Sequence, residues 1–284
     1  MVLEVFRLPK AKVDFLKNIS IYSILLLMSV FALFPLVWAF LTAIRPLNEV
    51  FAYPPQLIPN KFEFTNFASS ITEWNFLQYT INSAMVLIGH VAGTIIFSGL
   101  SGYAFARLEF PGRDKLFLVF LGAMMIPPEI RILPQFLVVK QLGWVNTFSA
   151  LIIPGIFTSF TMFIFRQFFL TIPKDLENAA CIDGCGRFRT FFQLILPISK
   201  PAILSVVIYR SVSSWNEFLW PLIVTSSEKL RVVSVALAFY RDQYGLLWNK
   251  MMAVSLLAAL PTLFIFILFH RFFIEGDTMS GFKG

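Results

Sequence analysis

The chain has 284 residues, of which 57% are hydrophobic and only 14% charged, against about 25% charged in an average soluble domain. That balance excludes an ordinary soluble enzyme and points to an integral membrane protein. The formal charge of +7 does not indicate nucleic acid, because the basic residues are scattered through loops beside apolar runs and form no long block.

At the N-terminus Arg7, Lys10, Lys12 and Lys17 precede an apolar run, as they would in a secretory signal. That run covers 19–44, is too long for a signal and lacks a small-x-small cleavage site, so it reads as an uncleaved anchor. Roughly 20 apolar residues make one helical span. By that measure further spans are expected at 80–103, 116–138, 147–170, 201–224 and 249–273. The expected fold class is therefore all-α: a polytopic membrane protein of six helices, one domain over 1–284. Cytoplasmic loops carry an excess of Lys and Arg. With the N-terminus inside, the inner segments hold fourteen of them and the outer segments eight, so both termini are expected in the cytoplasm.

The segment 45–79 is rich in Pro, Asn and aromatic residues, which suits an ordered cap at the outer interface; it is too short for a separate domain. In the second span Gly89 and Gly93, then Ser98 and Gly102, stand four apart and offer two small-residue faces for close helix packing. His90 beside them reads as a packed interior histidine. The third span is broken. In MMIPPEIRILPQF three prolines stand with Glu129, Arg131 and Gln135, and freed carbonyls at membrane depth are tolerated where protein or a water-filled cavity meets them. Either this helix lines a pathway, or it ends near Ile126 in an interfacial turn.

The stretch ENAACIDGCGRFRTFFQLILPISKP, 177–201, is polar and lies between two spans. Pro173, Asp175 and Glu177 mark a helix start and Gly184 its stop. Phe188, Phe191, Phe192 and Ile195 then follow at i, i+3, i+4 and i+7, the pattern of an amphipathic helix on the inner leaflet. Ala179 and Ala180 have almost no side chain and suit insertion into a groove of another protein; the competing reading is a passive connector. Cys181 and Cys185 lack a nearby His or a second pair, so no metal site is expected.

In the fifth span Arg210, Ser213, Ser214 and Glu217 fall on one helix face. Counted from Pro201 at about 1.5 Å per residue, Arg210 lies near the middle of the hydrocarbon core, where an ionisable residue needs a cavity or a partner. Trp215, Asn216 and Trp220 add indoles and an amide, groups that hold polyhydroxylated ligands. The stripe is read as a substrate path, with an ion pair to a neighbouring subunit as the alternative. Phosphate-loop, zinc-protease and serine-hydrolase motifs are missing from the sequence.

ENAACIDGCGRFRTFFQLILP resembles the cytoplasmic loop motif E-A-A-x-x-x-G-x9-I-x-L-P of permease subunits in binding-protein-dependent ABC importers. Asn178, Ala179, Ala180 and Gly184 stand at the E-A-A and G places, and Leu194, Leu196 and Pro197 at those of I, L and P. SGYAFARLEFPGRD, MMIPPEIRILPQF, WNEFLWPLIV and the tail GFKG are similar to the maltose-permease second-subunit type of sugar importer. The resemblance implies an ABC importer permease fold in a bacterial or archaeal inner membrane and no enzyme activity of this chain. Its implied partners are a homologous second permease, two ABC ATPase subunits that hold ATP and Mg, an external solute-binding protein and a carbohydrate substrate, with no nucleic acid and no cofactor in this chain. It makes the loop within 173–200 an ATPase-coupling element formed by Glu177, Asn178, Ala179, Ala180, Asp183 and Gly184, and transport proceeds by alternating access. Asn178 departs from the motif's glutamate: either adjacent Glu177 replaces its charge, or the contact is only a hydrogen bond. A polyol or glycerol phosphate is the alternative cargo. An ion-coupled carrier would show paired repeats and midplane carboxylates, and an intramembrane enzyme would give His90 a catalytic partner.

Overall fold

A computed structural model of the chain describes residues 10–244 and 247–278. The GFKG tail and Arg7 lie outside the described residues. The order is α1 (Lys10–Ala43), α2 (Leu47–Val50), α3 (Thr65–Glu73), α4 (Phe76–Arg107), α5 (Arg113–Met124), α6 (Pro128–Gln141), α7 (Phe148–Ile152), α8 (Ser159–Thr171) and α9 (Lys174–Ile182). There follow α10 (Arg187–Thr190), a π turn (Phe191–Ile195), α11 (Leu196–Ile198), α12 (Lys200–Trp215), α13 (Leu219–Val224), α14 (Val233–Tyr244) and α15 (Trp248–Thr278). No strand occurs among the described residues.

Stretches Lys17–Ala43, Phe76–Arg107 and Trp248–Phe269 are long and apolar enough to cross a membrane. The total reaches 6 if each of three bent helix pairs counts as one span. The expected third span is such a pair: α5 and α6 meet at 106°. Pro127 is extended at the break and Pro128 occupies the first turn of α6, where its missing N–H is harmless. The expected fourth span is Phe148–Gly155 with Ser159–Thr171, bent by 40°. The third bent pair is Arg187–Ile198 with Lys200–Trp215, at 80°, so the fifth candidate span lies earlier than the expected 201–224, which is broken at 216–218.

The chain divides into two compact units, 1–72 with 246–256, and 73–245 with 257–284. In the first, residues 17–37 of α1 are exposed throughout, as suits a helix apolar on all sides. The segment after α1 is ordered around Arg45, which is 2% exposed. Its guanidinium donates to the carbonyls of Gln56 at 2.7 Å and Leu57 at 3.2 Å, while its own carbonyl accepts from Asn66 and Asn249, each at 3.2 Å.

The second unit is built around α4. Small residues let other segments approach its backbone. A methyl at Gly93 would stand 2.6 Å from Ile156 Cβ, and one at Gly102 would stand 2.7 Å from Phe165 Cβ. Ser98 Oγ accepts from Thr161 Oγ1 at 2.9 Å between these contacts. Both expected small-residue faces are therefore used within the chain. Beside Gly102, buried Tyr103, Phe165, Phe169, Phe191, Ile195 and Val206 form a core. Gly102→Val should cost about 1–3 kcal/mol, because the contacts it would crowd include the backbone N of Arg166. A lower melting temperature of the detergent-solubilised protein is the expected result.

The expected amphipathic helix is corrected here. Phe188 and Phe192 are exposed, but Phe191 and Ile195 are fully buried in the chain's own core. The four residues divide between two faces instead of lying together on lipid. The cause is the notch at Gly99: a methyl there would stand 3.3 Å from Phe191 Cζ, so the glycine leaves space for that ring.

Candidate functional site

Two regions carry the polar residues. The first is a cavity of about 730 Å³ among α4, α6, the 153–160 break, α12 and α13. Its walls exist because helices break there. Pro127 and Pro128 turn the chain so that Glu129, Arg131 and Gln135 of α6 line the cavity, and the break at Ile153–Gly155 opens its opposite wall. The first helix ends at Met124, close to the expected stop near Ile126, and the turned segment that follows lines a cavity. Arg210, Ser213, Glu217 and Trp220 also border this space.

Arg210 is 6% exposed. It donates through Nη2 to the Gly155 carbonyl at 2.7 Å and through Nη1 to Ser213 Oγ at 3.4 Å, while its Nε has no hydrogen-bond partner. The freed carbonyl of the broken segment thus receives a cationic donor, which is the compensation a helix break at this depth requires. Glu217 lines the same cavity, but no ion pair joins it to Arg210 among the described residues.

His90, 1% exposed, sits at the back of the cavity. Its Nε2 faces the Leu151 carbonyl at 3.0 Å and so must carry the proton, leaving Nδ1 to accept from Ser214 Oγ at 2.8 Å. It is a packed histidine, as expected from its neighbours. A Cβ at residue 155 would overlap His90 Nε2 and stand 2.6 Å from Arg210 Nη2. Gly155→Ala should therefore unseat Arg210 from its carbonyl and destabilise the protein by about 1.5–3 kcal/mol, the scale of a lost charged hydrogen bond. A lower melting temperature in detergent checks this.

Three expectations for the stripe are corrected. Ser214 is buried against His90 and does not line the cavity. Trp215 does not offer its ring to the cavity: it is buried, and its Nε1 donates to the Ala258 carbonyl at 2.9 Å. Asn216 is exposed and bonds back to the Val212 carbonyl at 2.9 Å, where it ends α12. Trp220 reaches the cavity with its Nε1 already committed to the Ala150 carbonyl at 2.9 Å. The helical-face argument extended past the end of α12 at Trp215, where the chain leaves the helical path and 3.6 periodicity ceases to predict direction. The aromatic wall is instead Phe157, Phe160, Tyr209 and Phe218 with Trp220, and the Phe160 and Tyr209 rings lie 4.8 Å apart. Tyr209 was discoverable, since it stands four residues before Ser213 on the same face.

The second region is α9. Pro173 precedes it, Asp175 and Glu177 lie in its first turn, and Gly184 ends it with φ +78°. Cys185 N bonds to the Ala180 carbonyl at 2.9 Å and Gly184 N to that of Cys181 at 3.0 Å, the two bonds of a Schellman stop. Asn178, Ala179, Ile182, Asp183 and Gly184 are exposed and Ala180 is half-buried. Ile182, at 87% exposure, is an uncovered apolar side chain on a short polar helix. Glu177 behaves differently: it is the buried residue of α9, and its carboxylate meets Arg107 Nε at 2.7 Å and accepts from the Tyr103 hydroxyl at 3.1 Å. It is committed inside the chain, so the expectation that it replaces the motif's glutamate on a partner is corrected. Asn178 itself presents the exposed side chain at that place.

The sequence and the fold were also compared with known proteins. The model of a family described as binding-protein-dependent transport system inner membrane component matches residues 13–274. The chain is 37% identical over 259 residues to the arabinooligosaccharides transport system permease protein AraQ of Halalkalibacterium halodurans, covering 89% of this chain and 92% of that protein. It is 30% identical to the diacetylchitobiose uptake system permease protein NgcG of Streptomyces coelicolor, with 92% and 87% covered. It is 31% identical to the sn-glycerol-3-phosphate transport system permease protein UgpE of Brucella suis, with 91% and 95% covered. Its fold is similar to a chain in the crystal structure of a bacterial ABC transporter involved in import of the acidic polysaccharide alginate. The TM-score is 0.80 at 19% identity, with 94% of this chain and 99% of that one covered.

Proposed function

This chain belongs to the family of binding-protein-dependent transport system inner membrane components, and on that premise we propose that it conducts a carbohydrate through half of an ATP-driven import path. It is a membrane permease subunit and not itself an enzyme. The cavity carries the substrate reading. Its volume of about 730 Å³ falls within the usual range for small-molecule sites, roughly 300–1,000 Å³. Its walls combine the Phe160–Tyr209 pair and Trp220 with Glu129, Arg131, Gln135, Arg210 and Glu217. Apolar ring faces stack on the C–H faces of a sugar, while carboxylates, amides and guanidinium groups exchange hydrogen bonds with its hydroxyls. The oligosaccharide names of AraQ and NgcG support the same class.

In this reading residues 1–284 form one permease domain with both termini in the cytoplasm. A second, homologous permease completes the path and covers apolar surface of α1. The helix α9 docks into an ATPase subunit through Asn178, Ala179, Ala180, Ile182, Asp183 and Gly184. Two such ATPase subunits bind ATP and Mg, an external binding protein delivers the solute, and ATP closure drives alternating access.

Proteoliposomes holding the complete complex test the substrate class when given an arabino-oligosaccharide, diacetylchitobiose and sn-glycerol 3-phosphate in parallel, each with its binding protein. ATP-dependent uptake of an oligosaccharide is the expected result. Uptake of glycerol phosphate alone would establish the second reading, favoured by Arg210 and Arg131 on the cavity wall and by the similarity to UgpE.

A further inference from the structure

We infer that Arg107 and Glu177 are positioning residues: their buried ion pair fastens α9 to the C-terminal end of α4, so that a displacement of α9 moves α4 as one rod. This rests on the reading of α9 as the docking helix. Glu177 is the buried residue of α9, and the remaining described side chains of that helix are exposed or half-buried. The attachment of α9 to the body of the chain is therefore concentrated at one carboxylate.

That carboxylate meets two side chains, and one of them also holds the chain entering α9. Arg107 Nε stands 2.7 Å from Oε1, with the two side chains 4% and 9% exposed. The Tyr103 hydroxyl donates to Oε2 at 3.1 Å. Arg107 Nη2 donates to the carbonyl of Ile172, the residue just before the turn into α9. One guanidinium thus grips both the chain entering α9 and its first turn. A buried ion pair adds little net stability over an apolar pair but is costly to pull apart, since separating the charges leaves both buried and unpaired. A position that had only to pack would be served by an apolar residue.

The other end of α4 is fastened as well. Tyr79 donates to Glu228 at 2.6 Å, Asn82 Nδ2 to the Lys229 and Arg231 carbonyls at 2.8 Å each, and Val233 N donates to Ser83 Oγ at 2.9 Å. Both sets lie on α4, which as a whole runs for 32 residues without a proline, about 48 Å at 1.5 Å per residue. Its four glycines are not hinges, because Ile152, Ile156, Phe191 and Phe165 pack against them in turn. A load applied at Glu177 therefore reaches the 228–233 segment through a continuous helix.

The test uses the complete complex, with Cys181→Ser and Cys185→Ser as background and spin labels placed at Asp175→Cys and Leu77→Cys, both exposed positions. The distance distribution between the labels is measured without nucleotide and with ATP trapped on the ATPase subunits. The wild-type pair is expected to give one narrow distribution at the same distance in both states. With Glu177→Gln the width should double in the ATP state only, and Arg107→Lys, which keeps a cation, should remain close to wild type. Tyr103→Phe removes one hydrogen bond and leaves the ring in the core; it should broaden the ATP state to a smaller degree, and it serves if Glu177→Gln does not assemble. Distributions for Glu177→Gln and Tyr103→Phe that match wild type in both states, or that broaden equally in both, would overturn the inference. Failure of the wild-type permease to copurify with ATPase subunits would instead overturn the docking reading, and would be seen before any distance is measured.

Discussion

Ala179→Asp should abolish ATP-driven uptake, by about a hundredfold or more, while the protein still inserts in the membrane at the normal level. Ala179 is exposed on α9 beside Asn178, and its methyl makes no hydrogen bond to the chain, so the substitution leaves the permease's own packing untouched. On a partner's surface the same carboxylate would be desolvated without a cation, at a cost of several kcal/mol. About 2.7 kcal/mol already corresponds to a hundredfold loss of affinity. The paired readouts are uptake and the amount of ATPase subunit that copurifies, and both should fall together. Gly184→Val should act in the same direction for a different reason. With φ at +78° a β-branched residue is strained, and the Schellman stop that shapes the end of α9 is lost. Normal uptake in both variants would remove α9 from the mechanism.

Glu217→Gln is expected to reduce uptake about tenfold with assembly and melting temperature unchanged, since charged hydrogen bonds contribute about 1.5–3 kcal/mol. The carboxylate is half-buried and lines the cavity, and the amide keeps its size while losing its charge. Trp215→Phe supplies the contrast. Its indole donates to the Ala258 carbonyl away from the cavity, so its loss should cost about 1 kcal/mol of stability and leave the apparent affinity for the solute unchanged. If Trp215→Phe weakened affinity and Glu217→Gln weakened only stability, the cavity assignment would be reversed. Initial rates over a range of solute concentrations, with thermal melting in detergent, separate the two.

Much of this architecture could be read before any coordinates. The length of the apolar runs located the spanning segments, the glycine spacing in α4 anticipated its close packing, and Pro173 with Gly184 bracketed α9 almost to the residue. These features are local: chain stiffness, missing side chains and helix-end chemistry act within a few positions. What escaped the sequence depends on tertiary partners. Phe191 and Phe192 are adjacent and chemically alike, and the notch at Gly99, far away in the chain, is what sends one inward. Glu177 looked like a free acid at a helix start until Arg107 and Tyr103 were placed against it. Trp215 looked like a sugar platform because a helical wheel cannot show a carbonyl on another helix. The cavity residues were partly legible, with Arg210 and Ser213 on one face of α12 as expected and Glu217 reaching the cavity from just beyond its end. Their companions Gly155 and Tyr209 drew no notice because neither bears a charge.

The proposed docking of α9 is tested most directly at Cys181, an exposed thiol on that helix. In a Cys185→Ser background, a bulky maleimide should label Cys181 readily in the purified permease and become at least tenfold slower once the ATPase subunits are bound, since a docked surface excludes solvent. ATP trapping should deepen this protection. A labelling rate that is the same with and without the ATPase subunits would contradict the account, because α9 would then face solvent in the assembled transporter.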